Sequence, residues 1–366
     1  MNSLLGATPT LVMAAVLLTV VGSLPSLGGA RARLAALVYV AAVGLGAAVV
    51  WRFVNGNGVL FDIQPSRVLR YAARELNAAK AKNVLLIEGG SYVLNGVDAS
   101  TLADELHSLG YSVDVVRLAV SAANHFERYR MQQQLVERLT AKPPSGQHWV
   151  YLAETQLDYD RLPLAQFDHN QDSIRAYHYL TLSNSWQAAR ALTSPGIEGP
   201  SGGAWRWPLF RHALINSFSA GALVPLTPEG EIESAGGNVN PRRASRFRFP
   251  GLSPLIATPK QPHRGPVPYP WIREIREPRL RHLWRHYVDT FAYFGLPSTT
   301  ADQLEYVRDF CGAIKTPCIA PTDDQLLEAL DARDKWRDSG HLSLKGAKIY
   351  SPWLAHEVAR LGLLEK

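Results

Sequence analysis

Short apolar runs and amphipathic segments alternate along residues 83–160 of the chain. Short continuous apolar stretches bounded by polar residues are typical of buried strands in a parallel sheet. Three such runs are predicted strands: Val84–Gly89, Tyr111–Val120 and Trp149–Ala153. The segments between them have apolar residues at helical spacing, so the pattern predicts an α/β fold with a parallel sheet and helices on both faces.

The first predicted strand runs into Gly89-Gly90-Ser91 and is followed by a helical pattern. Asp98 is suited to cap the start of that helix, and Gly110 is suited to end it. Strand, tight turn, serine and helix is an arrangement by which α/β folds expose a nucleophile at the carboxyl end of the sheet. Ser91 is therefore a candidate nucleophile.

Helical periodicity returns in the last quarter of the chain. It predicts the helices Leu280–Phe294, Thr300–Phe310 and Asp323–Leu330, a short strand near Pro317–Ala320, and a final amphipathic segment, Leu344–Leu363. Pro352 lies inside that final segment and is expected to kink or split it.

Between these regular parts, residues 162–278 are rich in proline, glycine, tryptophan and arginine. Long irregular segments in compact domains are usually functional or disordered. We interpret this stretch as an insertion over the open end of the sheet. Trp205 and Trp207 are its candidate substrate-binding residues, because aromatic rings stack on sugar rings; the alternative is that they only pack a large loop.

The N-terminal region differs from the rest in lacking charge, since no charged side chain occurs before Arg31. Two apolar stretches, Thr10–Leu24 and Leu34–Val50, approach the roughly 20 residues that a membrane helix needs. We predict that residues 1–54 form a membrane anchor of one or two transmembrane helices. A cleaved signal peptide or a buried hairpin is the alternative. Arg31 and Arg33 between the stretches place the following domain outside the cytoplasmic membrane, facing the periplasm or exterior.

Composition limits the function classes further. A net charge of +6 over 366 residues is mild and does not by itself indicate a nucleic-acid partner, so none is expected; a basic surface would also suit an acidic polymer or an anionic lipid surface. The two cysteines, Cys311 and Cys318, form no C-x-x-C pair, so no cysteine-based metal site is expected. They are either a disulfide, which requires an oxidising compartment, or two unrelated thiols. We expect no metal and no cofactor.

A serine hydroxyl becomes a good nucleophile only when a base accepts its proton, and an imidazole base needs an orienting partner. The segment Asp338-Ser339-Gly340-His341 has a carboxylate three residues before an imidazole, just ahead of the last helical segment. That spacing allows the carboxylate to reach one ring nitrogen and leaves the other for Ser91. Ser91, His341 and Asp338 are thus a candidate catalytic triad.

At these residues the chain resembles the SGNH, or GDSL-like, hydrolase family. The similar parts are Ile87-Glu88-Gly89-Gly90-Ser91 and Asp338-Ser339-Gly340-His341-Leu342-Ser343, over roughly residues 83–160 and 285–362. The resemblance implies a flavodoxin-like three-layer domain over residues 55–366 and acyl-ester chemistry. It implies that Ser91 is the nucleophile, His341 the base and Asp338 the orienting group.

The chain departs from the family pattern at three turns. Gly90 occupies the position of the usual aspartate before the serine. The second turn, Ser121-Ala122-Ala123, replaces a glycine, so Ala122 is the expected backbone donor to the oxyanion hole together with Ser91. The third turn has Glu154-Thr155-Gln156 in place of an asparagine, and there Gln156 is the candidate side-chain donor, since an ionised Glu154 cannot donate.

A membrane anchor combined with a large insertion resembles the SGNH proteins of exopolysaccharide O-acetylation. The resemblance implies O-acetyl transfer or de-esterification of a secreted polysaccharide, with other membrane proteins of such a system as partners. Two alternatives remain open: a catalytically weakened binding or assembly module, and a lipid esterase at the membrane surface.

Overall fold

The structure is a computed structural model, and it describes residues 29–30, 32, 34–39, 64–120, 125–139, 143, 146–155, 249–252 and 276–366. Within those ranges no helix is long and apolar enough to cross a membrane. Most of the predicted anchor and most of the predicted insertion lie outside the described residues; of the anchor, residues 34–39 are helical. The described residues from Arg67 onward belong to one compact unit.

The elements from Gln64 onward alternate between strand and helix, as the apolar pattern predicts. In chain order they are α1 Gln64–Ala78, β1 Asn83–Gly89, α2 Ser91–Gly96, α3 Ala99–Ser108, β2 Val113–Ala119, α4 His125–Arg138, β3 His148–Glu154, α5 Glu277–Trp284, β4 Thr290–Phe294, α6 Ala301–Ala313, β5 Cys318–Ile319, α7 Asp324–Ala329 and α8 Leu344–Arg360. Asp98 caps α3 by accepting from the Thr101 N–H, and Gly110 follows that helix with a φ of +88°.

The strands form one five-stranded sheet in the order β2-β1-β3-β4-β5, and every neighbouring pair is parallel. Chain order reverses direction between β1 and β3, because β2 lies on one side of β1 and β3 on the other. In open α/β sheets the crevice beside such a reversal, at the carboxyl ends of the strands, is where ligands bind. The turn after β1 lies at this position.

Helices cover both faces of the sheet. On the first face, Leu85 and Ile87 of β1 and Leu152 of β3 are fully buried in a core that also includes side chains of α2, α3 and α8. On the second face, Tyr151 of β3 packs against Trp284 of α5, and Arg128 of α4 reaches Glu88 of β1. We call these the α8 face and the α4 face.

The prediction of one helix over Leu280–Phe294 is wrong. Helix α5 ends at Trp284, and Thr290–Phe294 form the fourth strand of the sheet. Asp289 secures the strand entrance, since its N–H donates to the Trp149 carbonyl at 2.9 Å and its carboxylate accepts from the Trp149 N–H at 2.8 Å. Phe291, Tyr293 and Phe294 are buried in this strand, and aromatic residues are enriched in strands.

Of the two expected effects of Pro352, a kink or a split, the structure excludes the split. Helix α8 runs without interruption from Leu344 to Arg360 with Pro352 inside it. Tyr350, Ser351 and Leu354 on either side of the proline are completely buried. Their packing on the core outweighs the loss of one backbone hydrogen bond at the proline.

The two cysteines lie in adjacent elements. Cys311 of α6 and Cys318 of β5 form a disulfide, with Cα atoms 5.2 Å apart. The bond ties the end of a helix to the short edge strand.

Candidate active site

The turn after β1 brings Ser91 to the start of a helix. Gly90 is the N-cap of α2, its carbonyl accepts the Leu94 N–H at 3.0 Å, and Ser91 is the first helical residue. The preceding Gly89 has no room for a side chain, because a Cβ there would lie 2.6 Å from the Glu154 carboxylate and would overlap Val93. The absence of a side chain at Gly89 therefore allows the chain to turn tightly between the sheet and the helix.

A second turn, just before α8, carries the imidazole. Trp336 and Leu342 form an isolated antiparallel bridge, and the Arg337 N–H donates to the His341 carbonyl at 2.8 Å. Inside this turn one carboxylate oxygen of Asp338 accepts the backbone N–H groups of Gly340 and His341, each at 3.0 Å. The aspartate thus shapes the backbone that holds the histidine.

The two turns bring Ser91, His341 and Asp338 together although Ser91 and His341 are 250 residues apart. The Nε2 atom of His341 lies 2.9 Å from the Ser91 Oγ, and Nδ1 lies 2.7 Å from the Asp338 Oδ1. A carboxylate only accepts hydrogen bonds, so Nδ1 carries the proton of the neutral ring. Nε2 is then free to accept the Ser91 hydroxyl proton, as general-base catalysis requires.

With this geometry established, we compared the chain with known proteins. Neither protein-family models, nor curated proteins, nor solved structures gave a match.

The charge state of Asp338 suits an orienting role. Partial burial acts to raise the pKa of its carboxyl, but hydrogen bonds from the Gly340 N–H and from His341 outweigh that effect and hold the pKa below its usual range. The side chains of His341 and Asp338 are 24% and 35% exposed. The pair is therefore ordered by hydrogen bonds and accessible from solvent.

Of the three predicted oxyanion donors, the structure describes only Ser91. As the first residue of α2, Ser91 has a backbone N–H with no acceptor within the helix, which leaves it available to a developing oxyanion. Ala122 and Gln156 lie outside the described residues, and so do Trp205 and Trp207. Glu154, which the sequence suggested could not donate, is an acceptor: it receives the Gly90 N–H at 2.5 Å.

Glu154 belongs to a group of buried charged side chains next to the turn between β1 and α2. We call this group the buried ion cluster, and it consists of Glu88, Arg128, Glu154 and Arg276. The Arg128 guanidinium donates to both carboxylate oxygens of Glu88, and the bond from Nη2 to Oε2 is 2.7 Å long. The remaining nitrogen, Nη1, lies 3.5 Å from the Glu154 Oε2. Arg276 adds a contact of 3.3 Å to Glu88. All four side chains are at least nine-tenths buried.

The two carboxylates of this cluster have opposite pKa shifts. Burial acts to raise the pKa of Glu88, but Arg128 and Arg276 outweigh it, so the pKa is lowered. Burial raises the pKa of Glu154, and the nearby Glu88 adds to the rise, while Arg128 and the Gly90 N–H oppose it. The arginines thus favour the ionised form of Glu88, whereas burial disfavours the ionised form of Glu154.

A chain of hydrogen bonds joins helix α2 to the turn that carries His341. The Asn95 side chain donates to the Ser91 carbonyl at 2.6 Å and accepts from the Arg337 guanidinium at 2.8 Å. Thr299 secures the same turn from the other side by donating to the Ser339 carbonyl at 2.6 Å. These contacts fix the distance between Ser91 and His341.

Sequence reasoning missed Tyr92, Asn95, Arg337 and the buried ion cluster. One signal was present: Glu88 lies in an otherwise apolar strand, and a buried carboxylate requires a partner. The sequence did not indicate which of its many arginines that partner would be. Among the described residues, no group of three or more His, Cys, Asp or Glu is arranged to hold a metal ion.

Proposed function

We propose that this protein carries out serine-dependent acyl-ester chemistry. The observation that carries the proposal is the contact series from Ser91 Oγ through His341 to Asp338, at 2.9 and 2.7 Å. These lengths lie within the range expected of a nucleophile, its base and an orienting group. The same series opposes the alternative of a catalytically weakened binding or assembly module, which is supported by the departure from the family pattern at the third turn.

The reaction has two halves. His341 Nε2 accepts the Ser91 proton as Oγ attacks the acyl carbonyl carbon, and the Ser91 N–H stabilises the oxyanion that forms. The tetrahedral intermediate collapses, the leaving alcohol takes the proton from His341, and an acyl-serine remains. A sugar hydroxyl or water then attacks that ester with His341 again as base, the bond from Ser91 Oγ to the acyl carbon breaks, and Oγ takes the proton from His341. A sugar acceptor gives a transferase, and water gives an esterase.

The fold supports the resemblance to SGNH hydrolases. The strand order β2-β1-β3-β4-β5 is that of flavodoxin-like sheets, which carry their sites beside the first strand. The proposed nucleophile follows β1, and the proposed base precedes the last helix. Both positions agree with the order of elements that the resemblance implies.

We further propose that the site acts outside the cytoplasmic membrane, on O-acetyl groups of a secreted polysaccharide. The disulfide between Cys311 and Cys318 supports this location, because disulfides persist in oxidising compartments. The apolar N-terminal stretches support attachment to the membrane.

The test is acylation of the purified full-length protein by p-nitrophenyl acetate, followed by intact mass measurement. We expect an adduct of one acetyl group, and we expect Ser91→Ala to lose both the adduct and the release of p-nitrophenol. Ser108→Ala is the matched control, because Ser108 is exposed at the end of α3 and donates only to the Glu105 carbonyl. Equal acylation of wild type and Ser91→Ala, or no acylation of either, would overturn the proposal.

Adding a deacetylated polysaccharide to the acetylated protein then separates the two reactions. Transfer of the acetyl group to the polymer identifies a transferase. Release of acetate at the same rate with and without polymer identifies an esterase.

A further inference from the structure

The residue next to the proposed nucleophile lies against the proposed base. The ring of Tyr92 stacks on the imidazole of His341, with centroids 4.7 Å apart and planes inclined by 14°. Tyr92 is half-buried and also packs against the core of the α8 face. The imidazole therefore has an aromatic ring on one face in addition to hydrogen-bond partners at both of its nitrogens.

The turn that carries His341 leaves room for this ring. A Cβ on Gly340 would lie 2.9 Å from the Tyr92 Cε1 and 3.0 Å from the Tyr92 hydroxyl oxygen. Gly340 does not have a positive φ, so its backbone conformation does not by itself demand glycine. The close approach of the Tyr92 ring is the feature that a side chain at position 340 would disturb.

The stack of Tyr92 on His341 restrains a motion of the imidazole ring that its hydrogen bonds still allow. The bond from Nδ1 to Asp338 fixes one edge of the imidazole, but the ring can still tilt about that bond and carry Nε2 away from Ser91. A parallel ring on its face opposes the tilt. Because Tyr92 and Ser91 are consecutive residues of α2, the ring and the nucleophile are held by the same backbone.

The stack also suits the charge that His341 gains during the reaction. When His341 takes the Ser91 proton it becomes an imidazolium, and the face of an aromatic ring attracts a cation. The benefit is therefore greater in the transition state than in the resting enzyme, and it appears as a faster chemical step.

We propose that Tyr92 is a positioning residue for His341, and that Gly340 is required because it gives the Tyr92 ring room to stack. This inference rests on the proposed function, since it assigns a role around the same serine and histidine. The competing explanation is that Tyr92 only fills space in the core.

Steady-state hydrolysis of p-nitrophenyl acetate by the full-length protein distinguishes these explanations. Tyr92→Phe keeps the stacking face and is expected to retain kcat within about twofold, whereas Tyr92→Leu is expected to lower kcat on the order of tenfold with little change in KM. A kcat for Tyr92→Leu equal to that of wild type would overturn the inference. A loss in Tyr92→Phe as large as in Tyr92→Leu would overturn it as well.

A double substitution tests the role of Gly340. Gly340→Ala displaces the Tyr92 ring and is expected to lower kcat about as much as Tyr92→Leu does, roughly tenfold. In the Tyr92→Leu background the same change is expected to cost little more, because the ring that it displaces is gone. Full additivity of the two losses would show that Gly340 acts independently of Tyr92. Gly340→Ala retains Tyr92, so it also provides the test if Tyr92→Leu does not fold.

A nuclear magnetic resonance measurement makes the result independent of turnover. The proton on His341 Nδ1, held by Asp338, gives a downfield resonance that persists only while the imidazole is held in place. We expect it in wild type, Tyr92→Phe and Ser91→Ala, and we expect it broadened by exchange with water in Tyr92→Leu and Gly340→Ala. Absence of this difference refutes the positioning role. If the variants differ in this resonance but the protein is not acylated, the positioning role of Tyr92 stands and the proposed function is rejected.

Discussion

Two groups of ionisable side chains meet at the turn between β1 and α2, and they differ in exposure. Ser91, His341 and Asp338 lie on the solvent side, where His341 is 24% exposed. Glu88, Arg128, Glu154 and Arg276 lie on the interior side and are at least nine-tenths buried. Each group uses a carboxylate to hold another polar group: Asp338 holds an imidazole, and Glu154 holds the Gly90 N–H.

The difference in exposure indicates that the two groups have different roles. In the exposed group water can solvate the charges, so a substitution there is expected to change reactivity more than folding. In the buried ion cluster each charge depends on its partners, so removing one leaves another desolvated and uncompensated. The proposed chemistry thus depends on one group and the integrity of the turn on the other.

The largest expected effect comes from the exposed group. Asp338→Asn keeps an oxygen that can accept the Gly340 and His341 N–H groups, but it removes the charge that orients and stabilises the imidazole. We expect kcat for p-nitrophenyl acetate to fall by roughly 10⁴-fold, as for other triads, while the free energy of unfolding in urea changes by less than about 1 kcal/mol. Asp334→Asn is the matched control, because Asp334 is a nearby exposed carboxylate paired with Lys345.

The control variant is expected to turn over at the rate of the wild type. If Asp338→Asn instead lost stability and kept its activity, it would be wrong to assign activity to the exposed group and stability to the buried ion cluster.

The next largest effect is expected inside the buried ion cluster. Arg128→Met removes the cation that contacts both Glu88 and Glu154. Leaving buried charges unpaired costs about 3–5 kcal/mol, which urea unfolding monitored by circular dichroism will measure. Arg130→Met on the same helix is the control, since its ion pair with the largely exposed Glu137 is 4.0 Å long and worth less than about 1 kcal/mol. Equal losses in the two variants would show that the cluster does not stabilise the fold.

The smallest expected effect is on the pH dependence of stability, and it depends on Glu154. Its pKa is raised in the folded state, so over the interval between the unfolded and folded pKa the native protein binds more protons and its stability falls as pH rises. Glu154→Gln lacks this group while keeping an acceptor for Gly90. We expect the variant to gain stability relative to wild type on going from a pH near 4.3, the ordinary glutamate pKa, to neutral pH.

Urea unfolding of both proteins at the two pH values measures this change. Glu88, whose lowered pKa acts in the opposite direction, is present in both proteins, so the comparison isolates Glu154 together with its coupling to Glu88. A difference between the two proteins that does not vary with pH contradicts the raised pKa of Glu154.

The sequence predicted those parts of the fold that depend on local pattern. The strand before Ser91, the cap at Asp98 and the helices around residues 301–313 and 324–329 follow from apolar spacing and short-range hydrogen bonds. The meeting of Ser91 with Asp338 and His341 followed from placing both at the ends of regular elements. The membrane anchor and the insertion stay predictions, because the structure describes little of either.

The features that sequence reasoning missed depend on contacts between distant segments. The aromatic run at Thr290–Phe294 has no local signal that distinguishes strand from helix, and its pairing with β3 decides the outcome. Arg276 lies in a stretch that looked irregular, yet it completes a cluster with Glu88 from a strand 188 residues earlier. The stack of Tyr92 on His341 depends equally on a turn that only the folded chain brings near.

The separation of Ser91 and His341 has a consequence during synthesis. Ser91 leaves the ribosome 250 residues before the imidazole that contacts it. Helix α8 follows that imidazole, and the Asn83 side chain at the entrance of β1 pairs with both backbone groups of Glu365. Under the proposed mechanism, Ser91 in the nascent chain lacks its base until His341 has been synthesised and the segment that follows it has packed on the first strand.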